Sequence, residues 1–396
     1  MKYFLEKLVE ALIKGCGFLS AAVVLMIVFF LFREGVSFIN SSPLEDHTAL
    51  FVHRDNTVVE LTDLQVKNLF DKKISNWKEL GSFDQPVNLI SADELDELFT
   101  SEQLGANLEY LSACVNHYMD TVPGTIAYFS EKQLGLTPVI KTVKVRPIHL
   151  WYFLSGKEWF PTAQPAAIMG TLPLLLGTLL VSIIAILIAL PLGLAAAVYL
   201  AEIADDRLRR ILKPVIELLS GIPSVVYGFF GLVVIVPFIQ QTLNLPVGET
   251  ALAGSILLAI MALPTIITVS EDAIRTCPVA IKEASLALGA SHWQTIFRVI
   301  IPYASSGISA AAILGIGRAI GETMAVLMVT GNAALLPTSL TQSVRTIPAT
   351  IAAELGEAPF GGLHFKALFA LGCILFIITL GTNLLVERIS KRKINK

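Results

Sequence analysis

The segment between residues 283 and 302 begins with Glu283-Ala-Ser-Leu-Ala-Leu-Gly289 and ends with Val299-Ile-Ile-Pro302. Residues 283–288 favour a helix, and Gly289 permits a left-handed turn because it has no Cβ. Residues 291–298 can form a second short helix before Pro302 opens the next apolar run. A compact helix-turn-helix in a polar loop between apolar runs is suited to transmitting force from a partner.

The sequence around this segment is too apolar for a soluble protein. Of 396 residues, 54% are apolar and 15% are charged, whereas soluble domains carry about 25% charged residues. The mean hydropathy is +0.69. A net charge of −3 gives no basic field for binding nucleic acid, and four scattered cysteines exclude a disulfide scaffold. The composition therefore indicates a protein that lies largely in a membrane.

Six charge-poor runs are long enough to cross an apolar core of about 30 Å as helices. The second run predicts a helix over 166–201, kinked at Pro173 or Pro191. The fifth run contains Arg318, and we expect the spanning helix to continue through it. The predicted fold class is an all-α polytopic membrane protein with six transmembrane helices. The runs lie at 14–33, 158–202, 217–249, 249–271, 299–330 and 366–387.

Lysine and arginine in the short loops predict the orientation of these helices. The N-terminus, residues 204–214, residues 272–299 and the C-terminal tail are rich in Lys and Arg, whereas the 241–249 connection has neither. Both termini are therefore expected in the cytoplasm, and residues 34–160 outside it. The end of this first run, Phe29-Phe-Leu-Phe-Arg33, offers no small-x-small cleavage site, which predicts that residues 1–33 are a retained anchor helix rather than a cleaved signal peptide.

Residues 34–160 differ abruptly in composition and predict a small α/β domain inserted after the first helix. Thr62-Asp-Leu-Gln65 and Ser91-Ala-Asp-Glu94 have the pattern of capping boxes at helix starts. Cys114 is the single cysteine of this segment, so no disulfide can form within it. No spacing in the chain matches a metal site, and no cofactor is expected. An apolar run lies at 48–53, and short strands are expected at 124–129 and 139–143.

A charged pair interrupts the fifth apolar run at Arg318-Ala-Ile-Gly-Glu322. An arginine at this depth costs from about 3 to more than 10 kcal/mol unless it is paired or hydrated. The four-residue spacing predicts that both side chains share one helix face, where they can neutralise each other. The guanidinium also offers bidentate hydrogen bonds to an oxyanion, and Glu322 could accept a proton, which favours hydrogenphosphate over sulfate. The pair is a candidate substrate path or, alternatively, a structural pair that joins helices.

Segment 283–302 resembles the EAA loop of ABC importer permeases, which is usually written E-A-A-x3-G-x9-I-x-L-P. The resemblance implies that Glu283, Ala284 and Gly289 shape a coupling helix within 280–298, seated in a cleft of a cytoplasmic ATPase. That partner would hydrolyse ATP, and this chain would be a transport subunit and not an enzyme. The sequence departs mildly from the pattern at Ser285, Val299 and Ile301.

Other stretches are similar to the PstC-type permease of phosphate ABC importers. The similarity covers residues 166–389. It implies a type I ABC importer permease fold, with a permease domain of five transmembrane helices at 161–396. It implies a heterodimer with a PstA-like permease in the cytoplasmic (inner) membrane, a PstB-like ATPase dimer and an extracytoplasmic PstS-like phosphate-binding protein. In that family, Arg318 and Glu322 match the charged positions proposed to line the phosphate path. The stretches are Gly315-Ile-Gly-Arg-Ala-Ile-Gly-Glu-Thr-Met-Ala-Val326 through Gly331-Asn332, Leu263-Pro-Thr-Ile, and Lys213-Pro-Val-Ile-Glu-Leu-Leu-Ser-Gly-Ile-Pro-Ser-Val-Val-Tyr-Gly-Phe-Phe-Gly231.

Residues 34–160 resemble part of a PstS-type phosphate-binding protein. Such proteins usually hold phosphate with a Ser-Gly-Thr element, whereas this chain offers Ser91-Ala-Asp or Thr100-Ser101 without the glycine. We therefore expect a domain that docks or gates and has lost ligand capture. The similar stretches are Val58-Val-Glu-Leu-Thr-Asp-Leu-Gln-Val-Lys-Asn-Leu-Phe70, Lys73-Ile-Ser-Asn-Trp-Lys-Glu-Leu-Gly81 and Pro123-Gly-Thr-Ile-Ala-Tyr128.

The sequence leaves two other functions open. One is an importer permease for another oxyanion, such as molybdate or sulfate. The other is a ligand-sensing membrane receptor, against which the absence of an output domain before Lys396 counts.

Two features near the third run, a carboxylate and a series of small residues, are expected to stabilise the helices rather than to contact the substrate. Glu217 is expected to be a helix-end carboxylate satisfied by a nearby cation, with a place in the substrate path as the alternative. Small residues that recur along the run indicate close helix packing. The candidate cations are Arg209, Arg210 and Lys213, and the small residues are Gly221, Ser224, Gly228 and Gly231.

Overall fold

The computed structural model describes residues 2–45, 47–105, 107–134 and 137–394. The chain divides into two compact units. The helical unit comprises Met1–Gly35, Thr171–Ala358 and Leu368–Lys396, and the sheet unit comprises Val36–Gly170 and Pro359–Ala367.

The chain opens with α1 (Lys2–Ser37), a long helix that is apolar from Val9 onwards. Its C-terminal part packs on the last helix of the chain, where the ring of Phe30 meets Phe369 edge-on at 5.6 Å. The Cys373 thiol donates to the Leu31 carbonyl at 3.3 Å. The N-terminal part of α1 has exposed side chains, so α1 is held within this chain at one end.

The sheet unit contains a five-stranded sheet in the order β2-β5-β1-β4-β3. The central strand β1 is antiparallel to β4 and β5, whereas β3 is parallel to β4 and β2 is parallel to β5. Alternate side chains of β1 point to opposite faces, so Phe51 enters one apolar cluster while Leu50 and Val52 enter the other. The strands are β1 (Thr48–His53), β2 (Glu60–Leu61), β3 (Asn88–Ile90), β4 (Thr125–Ser130) and β5 (Ile140–Val145).

Short helices cover both faces of this sheet. Thr62 caps α2 with the reciprocal hydrogen bonds of a capping box, as the sequence predicts, and α2 ends at Phe70. Ser91 and Glu94 likewise form a reciprocal pair, which opens the 3-10 turn Ala92–Glu94 rather than a long helix. The strands predicted at 124–129 and 139–143 are confirmed to within two residues at each end, and the apolar run at 48–53 forms β1. The helices are α2 (Asp63–Phe70), α3 (Leu95–Leu98), α4 (Ser101–Leu104), α5 (Leu111–Thr121), α6 (Glu131–Leu134) and α7 (Leu150–Ser155).

A small hairpin precedes the second apolar helix. β6 (Trp159–Phe160) pairs with β7 (Ile168–Met169), so the helix predicted from residue 166 begins six residues later, at Leu172. A Cβ at Gly170 would lie 2.3 Å from the carbonyl carbon of Gly156, which shows how closely two backbone segments approach at this hairpin. The predicted start was wrong because tertiary pairing uses residues whose apolar character also suits a helix.

The helical unit is built around α12 (Ala251–Arg275), which packs against its neighbours through a buried apolar cluster. The remaining helices are α8 (Leu172–Val198), α9 (Asp206–Ser220), α10 (Ser224–Phe230), α11 (Val236–Thr242), α13 (Val279–Ala287), α14 (His292–Thr295), α15 (Ile301–Tyr303), α16 (Ser305–Gly321), α17 (Met324–Val329), α18 (Ile347–Glu354) and α19 (Leu363–Ile394). Three π-helical turns, Tyr199–Ile203, Gly231–Ile235 and Ile296–Ile300, continue α8, α10 and α14.

Five helices among the described residues are long and apolar enough to cross a membrane, and a bent pair makes a sixth candidate. Pro191 lies inside α8, whereas Pro173 lies in its first turn and begins the helix. The helices are Val9–Ser37, Leu172–Ile203, Ser224–Thr242, Ala251–Arg275 and Leu363–Arg388, and the bent pair is His292–Tyr303 with Ser305–Gly321.

The fifth span is not the continuous helix predicted over 299–330. The chain bends by 70° between Tyr303 and Ser305, and α16 ends at Gly321. Glu322 has an extended backbone with φ −70° and ψ 131°, and α17 starts two residues later. The Thr323 hydroxyl donates to the Gly321 carbonyl at 3.2 Å, which gives that carbonyl a partner outside the helical ladder. Glycine at the end of α16 weakens the helix further.

Close packing of small residues in the third span is confirmed at two of the predicted positions. A Cβ at Gly228 would lie 2.7 Å from Met328 Sδ, and one at Gly231 would lie 2.8 Å from Val329 Cγ1. Both contacts are with α17, so the glycines allow the third span to approach the segment after the helix break. Gly221 has more open surroundings.

Candidate functional site

Arg318 is the charged group that the fifth span carries into the helical unit. It lies in the last turn of α16 and is half-buried. Its Nη1 donates to Thr265 Oγ1 on α12 at 3.5 Å, a long hydrogen bond. Among the described residues, no carboxylate oxygen lies within 4.0 Å of the guanidinium. Most of its hydrogen-bonding capacity is therefore unused by the residues that the structure describes.

Arg318 lies deep in the span, so N–H donors without partners carry a large free-energy cost there. It lies thirteen residues beyond Ser305, about 20 Å along a helix that rises 1.5 Å per residue. A bare guanidinium well inside an apolar core of about 30 Å costs several kcal/mol, and one long hydrogen bond does not offset that cost. Water, an anion or another subunit must therefore face this side chain in the membrane.

Glu322 lies just past the end of α16, so the prediction that it shares one helix face with Arg318 is wrong. It is half-buried, and no ion pair joins the two side chains. Non-helical backbone within an apolar span is tolerated where protein covers it or where it lines a water-filled cavity. The break therefore brings an uncommitted cation, a carboxylate and exposed polar backbone into one short segment.

Thr265 and Tyr227 are polar neighbours of Arg318, and the sequence pattern predicts no role for either of them. Thr265 follows Pro264 in α12 and is half-buried, and Tyr227 of α10 lies within electrostatic range of the guanidinium. The Tyr227 hydroxyl donates to the Leu219 carbonyl at 2.8 Å, which fixes the ring. A hydroxyl directly after a proline in an apolar run was the available signal for Thr265.

One hydrogen bond fixes α16 beside Arg318. The hydroxyl of Ser182 on α8 donates to the Ala319 carbonyl at 3.2 Å, and both residues are buried. Gly315 brings the same helix close to α12, since a Cβ there would lie 2.9 Å from Ile266 Cδ1. The helix that carries the guanidinium is thus packed on two neighbours.

The predicted helix-turn-helix at 283–302 is present. α13 covers Glu283 and Ala284, Gly289 adopts the predicted left-handed conformation with φ +85°, and Ser291 caps α14 with a reciprocal pair of hydrogen bonds. Glu283, Ala284 and Gly289 are exposed. The segment also exposes large apolar side chains, and Leu288 is 90% exposed. Its outer surface is therefore open to a partner.

The cations expected to satisfy Glu217 have other partners. Lys213 Nζ lies 2.7 Å from Glu271 Oε2 and 2.8 Å from Asp272 Oδ1, and Arg209 Nε lies 3.8 Å from Glu271. Arg210 donates to the Asp206 carbonyl. Glu217 is exposed, so the interpretation of its partners was wrong. Desolvation lowers the pKa of Lys213, but its hydrogen bonds to Asp272 and Glu271 outweigh that and raise it overall.

The part of the chain that the structure describes contains no group of three or more His, Cys, Asp or Glu side chains able to hold a metal ion. At the break after α16, the described residues present a guanidinium without a carboxylate partner, a carboxylate and hydroxyls. This arrangement can bind and release an anion.

Comparison with known proteins identifies the class of this chain. A family model described as "Binding-protein-dependent transport system inner membrane component" matches residues 189–395. The chain belongs to this family. It is a multi-pass protein of the inner membrane, as the family and the apolar helices indicate.

Individual relatives are permeases. The chain is 42% identical over 241 residues to the probable ABC transporter permease protein YqgH of Bacillus subtilis, covering 61% of this chain and 78% of that protein. It is 41% identical over 246 residues to the phosphate transport system permease protein PstC of Mesorhizobium japonicum, covering 57% of this chain and 74% of that protein. These relatives are transport subunits rather than enzymes.

A solved structure is similar to a smaller part of the chain. It is a putative phosphate ABC transporter substrate-binding protein with bound phosphate from Clostridium perfringens, 29% identical, with a TM-score of 0.19. The match covers 26% of this chain and 47% of that protein.

Proposed function

We propose that this chain is the permease subunit of an ABC importer that carries inorganic phosphate. The proposal is supported by the similarity to PstC permeases over more than half of the chain. The observation that carries it is the half-buried Arg318, which has no carboxylate partner among the described residues at the break of an apolar span. Discontinuous helices near the middle of a membrane are where many transporters bind their substrates.

In this proposal, Arg318 and Glu322 line the path of the anion. The guanidinium presents paired N–H donors to phosphate oxygens, and the Thr265 hydroxyl holds it towards α12. The Glu322 carboxylate accepts a hydrogen bond from the hydroxyl of hydrogenphosphate, a donor that sulfate lacks at neutral pH. The carboxylate thereby repels an anion that carries no proton. Phosphate is released when the path opens to the cytoplasmic side.

The energy comes from a separate cytoplasmic ATPase of the PstB type, present as a dimer. We propose that it seats the coupling helix within 280–298, shaped by Glu283, Ala284 and Gly289. Exposed apolar side chains on this segment support a docking role, because such surface patches mark protein contacts. A PstA-like permease completes the path as a heterodimer partner, and an extracytoplasmic PstS-like protein delivers phosphate.

We assign residues 1–33 to an anchor helix, 34–160 to an extracytoplasmic domain and 161–396 to the permease domain, with both termini in the cytoplasm. The domain 34–160 resembles part of a phosphate-binding protein, and we propose that it docks or gates rather than captures phosphate. Ser91, the candidate ligand, supports this because its hydroxyl and amide are both committed to Glu94. Micromolar phosphate binding by the full chain that persists in Arg318→Ala would contradict this role.

The decisive experiment measures phosphate uptake by the complete importer reconstituted in vesicles. Arg318→Ala should lower uptake by about 10- to 100-fold, because hydrogen bonds to charged groups contribute about 1.5–3 kcal/mol. Arg207→Ala, on the exposed face of α9, is the matched control and should leave uptake unchanged. Unchanged uptake in Arg318→Ala, with normal assembly, would overturn the assignment. Competition by sulfate and molybdate in the same vesicles tests the choice of anion.

A further inference from the structure

A partly buried ion pair joins the helix-turn-helix segment to the end of the second span. Lys282 Nζ on α13 lies 2.5 Å from Glu202 Oε1, in the π-helical turn that ends the α8 span. The Glu202 side chain is 7% exposed and that of Lys282 is 22% exposed. The two residues are 80 positions apart in sequence, so the contact is tertiary.

The surroundings of this pair are apolar. Cys277, buried between α12 and α13, lies within electrostatic range of both charges, and burial raises the pKa of its thiol. Cys277 belongs to an apolar cluster that also contains Val198 from α8 and Ile296 from the segment after α14. In the described part of the chain, neither Lys282 nor Glu202 has a second ion-pair partner within 4.0 Å. Neutralising either group would leave the other charge partly buried and without its ion-pair partner.

A second contact joins the same helix to the fifth span. The Ser285 and Thr295 hydroxyls are hydrogen-bonded at 3.0 Å, and Thr295 is 2% exposed. Ser285 is one of the positions where the sequence departs from the EAA pattern, and its hydroxyl makes the bond. α13 is thus tied to the second span by charge and to the start of the fifth span by a hydrogen bond.

We propose that Glu202 and Lys282 are positioning residues through which displacement of α13 reaches the second span. Lys282 adjoins Glu283 in sequence, yet its side chain turns inward while Glu283 is exposed. The inference rests on the proposed function, since it assumes that a partner ATPase moves α13. Without the ion pair, α13 is still hydrogen-bonded to Thr295. Its displacement then moves the fifth span but no longer moves the second span. ATP is then hydrolysed with less transport.

The test compares phosphate uptake per ATP hydrolysed in the complete importer reconstituted in vesicles. Lys282→Met and Glu202→Gln should each lower this ratio by about tenfold, within the range of coupling between distant sites. Lys282→Arg, which keeps the charge, should restore most of the ratio. Arg298→Met is the matched control, because Arg298 is an exposed cation of the same segment, and it should leave the ratio unchanged. Copurification of the ATPase shows that each variant assembles.

An unchanged ratio in both neutral variants would overturn the inference. Equal loss in Lys282→Met and Lys282→Arg, with the ATPase still bound, would also overturn it, because a charge pair tolerates arginine. A wild-type complex that hydrolyses ATP but moves no phosphate would instead contradict the proposed substrate.

The ion pair is then tested by how strongly the extracytoplasmic binding protein stimulates ATP hydrolysis. This stimulation needs the contact between Lys282 and Glu202 but no particular anion. Full stimulation in both neutral variants would overturn the inference.

Discussion

Arg318 and Glu322 are four residues apart but do not form an ion pair, because α16 ends at Gly321 and the backbone of Glu322 is extended. On a continuous helix, the two side chains would neutralise each other. The break leaves the cation with one long hydrogen bond to Thr265 among the described residues. Both charges therefore remain available to a ligand.

The Thr265 hydroxyl should help to orient the guanidinium. Thr265→Val has nearly the same shape and should lower phosphate uptake about threefold to tenfold, since a net hydrogen bond contributes about 1 kcal/mol. Thr265→Ser keeps the hydroxyl and should retain most of the uptake. Initial uptake rates in reconstituted vesicles check this, and equal rates for Thr265→Val and wild type would show that the hydroxyl does not orient Arg318.

Glu322 should set the preference between anions. Glu322→Gln removes the negative charge that repels unprotonated anions, so sulfate should compete better with phosphate for the permease. The measurement is displacement of labelled phosphate from the purified complex without the binding protein. Glu357→Gln is the matched control, because Glu357 is an exposed carboxylate after α18 that has no place in the proposed path. Sulfate competition that is the same in Glu322→Gln and wild type would contradict the role of Glu322.

Two glycines of α16 should respond oppositely to alanine. A Cβ at Gly307 would lie 2.3 Å from Ala273 Cβ, whereas nothing lies within 4 Å of one at Gly317. Gly307→Ala should therefore destabilise the chain by about 1–3 kcal/mol through overpacking. Gly317→Ala should be neutral or stabilise it by up to about 1 kcal/mol through helix propensity. Thermal unfolding in detergent checks both, and a stable Gly307→Ala would mean that α12 and α16 can separate at this point.

The sheet unit should lose stability as the pH rises above about 4. Burial raises the pKa of Asp63 above its ordinary value of 3.8, although the Tyr152 hydroxyl donates to it at 2.7 Å. A raised folded pKa means that the folded state binds more protons, so stability falls from the ordinary value up to the folded pKa. Asp63→Asn should remove this decline and increase the protection of α2 at neutral pH.

Hydrogen exchange of the Asp63–Phe70 amides in the full chain, corrected for intrinsic rates, measures the effect. Glu60→Gln is a suitable control, because Glu60 is an exposed carboxylate on the neighbouring strand. The same pH dependence in wild type and Asp63→Asn would contradict the assignment of the decline to Asp63.

The sequence predicted the features that depend on local composition. Apolar length indicated the candidate spans, the Thr62 and Gln65 spacing indicated a capping box, and Gly289 indicated a left-handed turn. Each of these follows from a few neighbouring residues, because length, capping and φ are local properties.

The features that the sequence did not predict depend on contacts between distant residues. Hydropathy measures how long a run is, but it does not detect a 70° bend after Tyr303 or a break at Glu322. The cations near Glu217 were assigned to it by proximity in sequence, whereas Lys213 reaches Glu271 on another helix. The pairing of Lys282 with Glu202 likewise depends on how α13 folds back onto the second span.

The broken fifth span has a consequence for biogenesis. A chain that inserts alone must keep an uncompensated guanidinium in lipid, and water or a neighbouring subunit lowers that cost only after the complex forms. We expect copies of the chain without their proposed partner permease to be poorly retained in the bilayer and degraded by quality-control proteases. The Arg318 region should therefore make the lifetime of the chain depend on assembly.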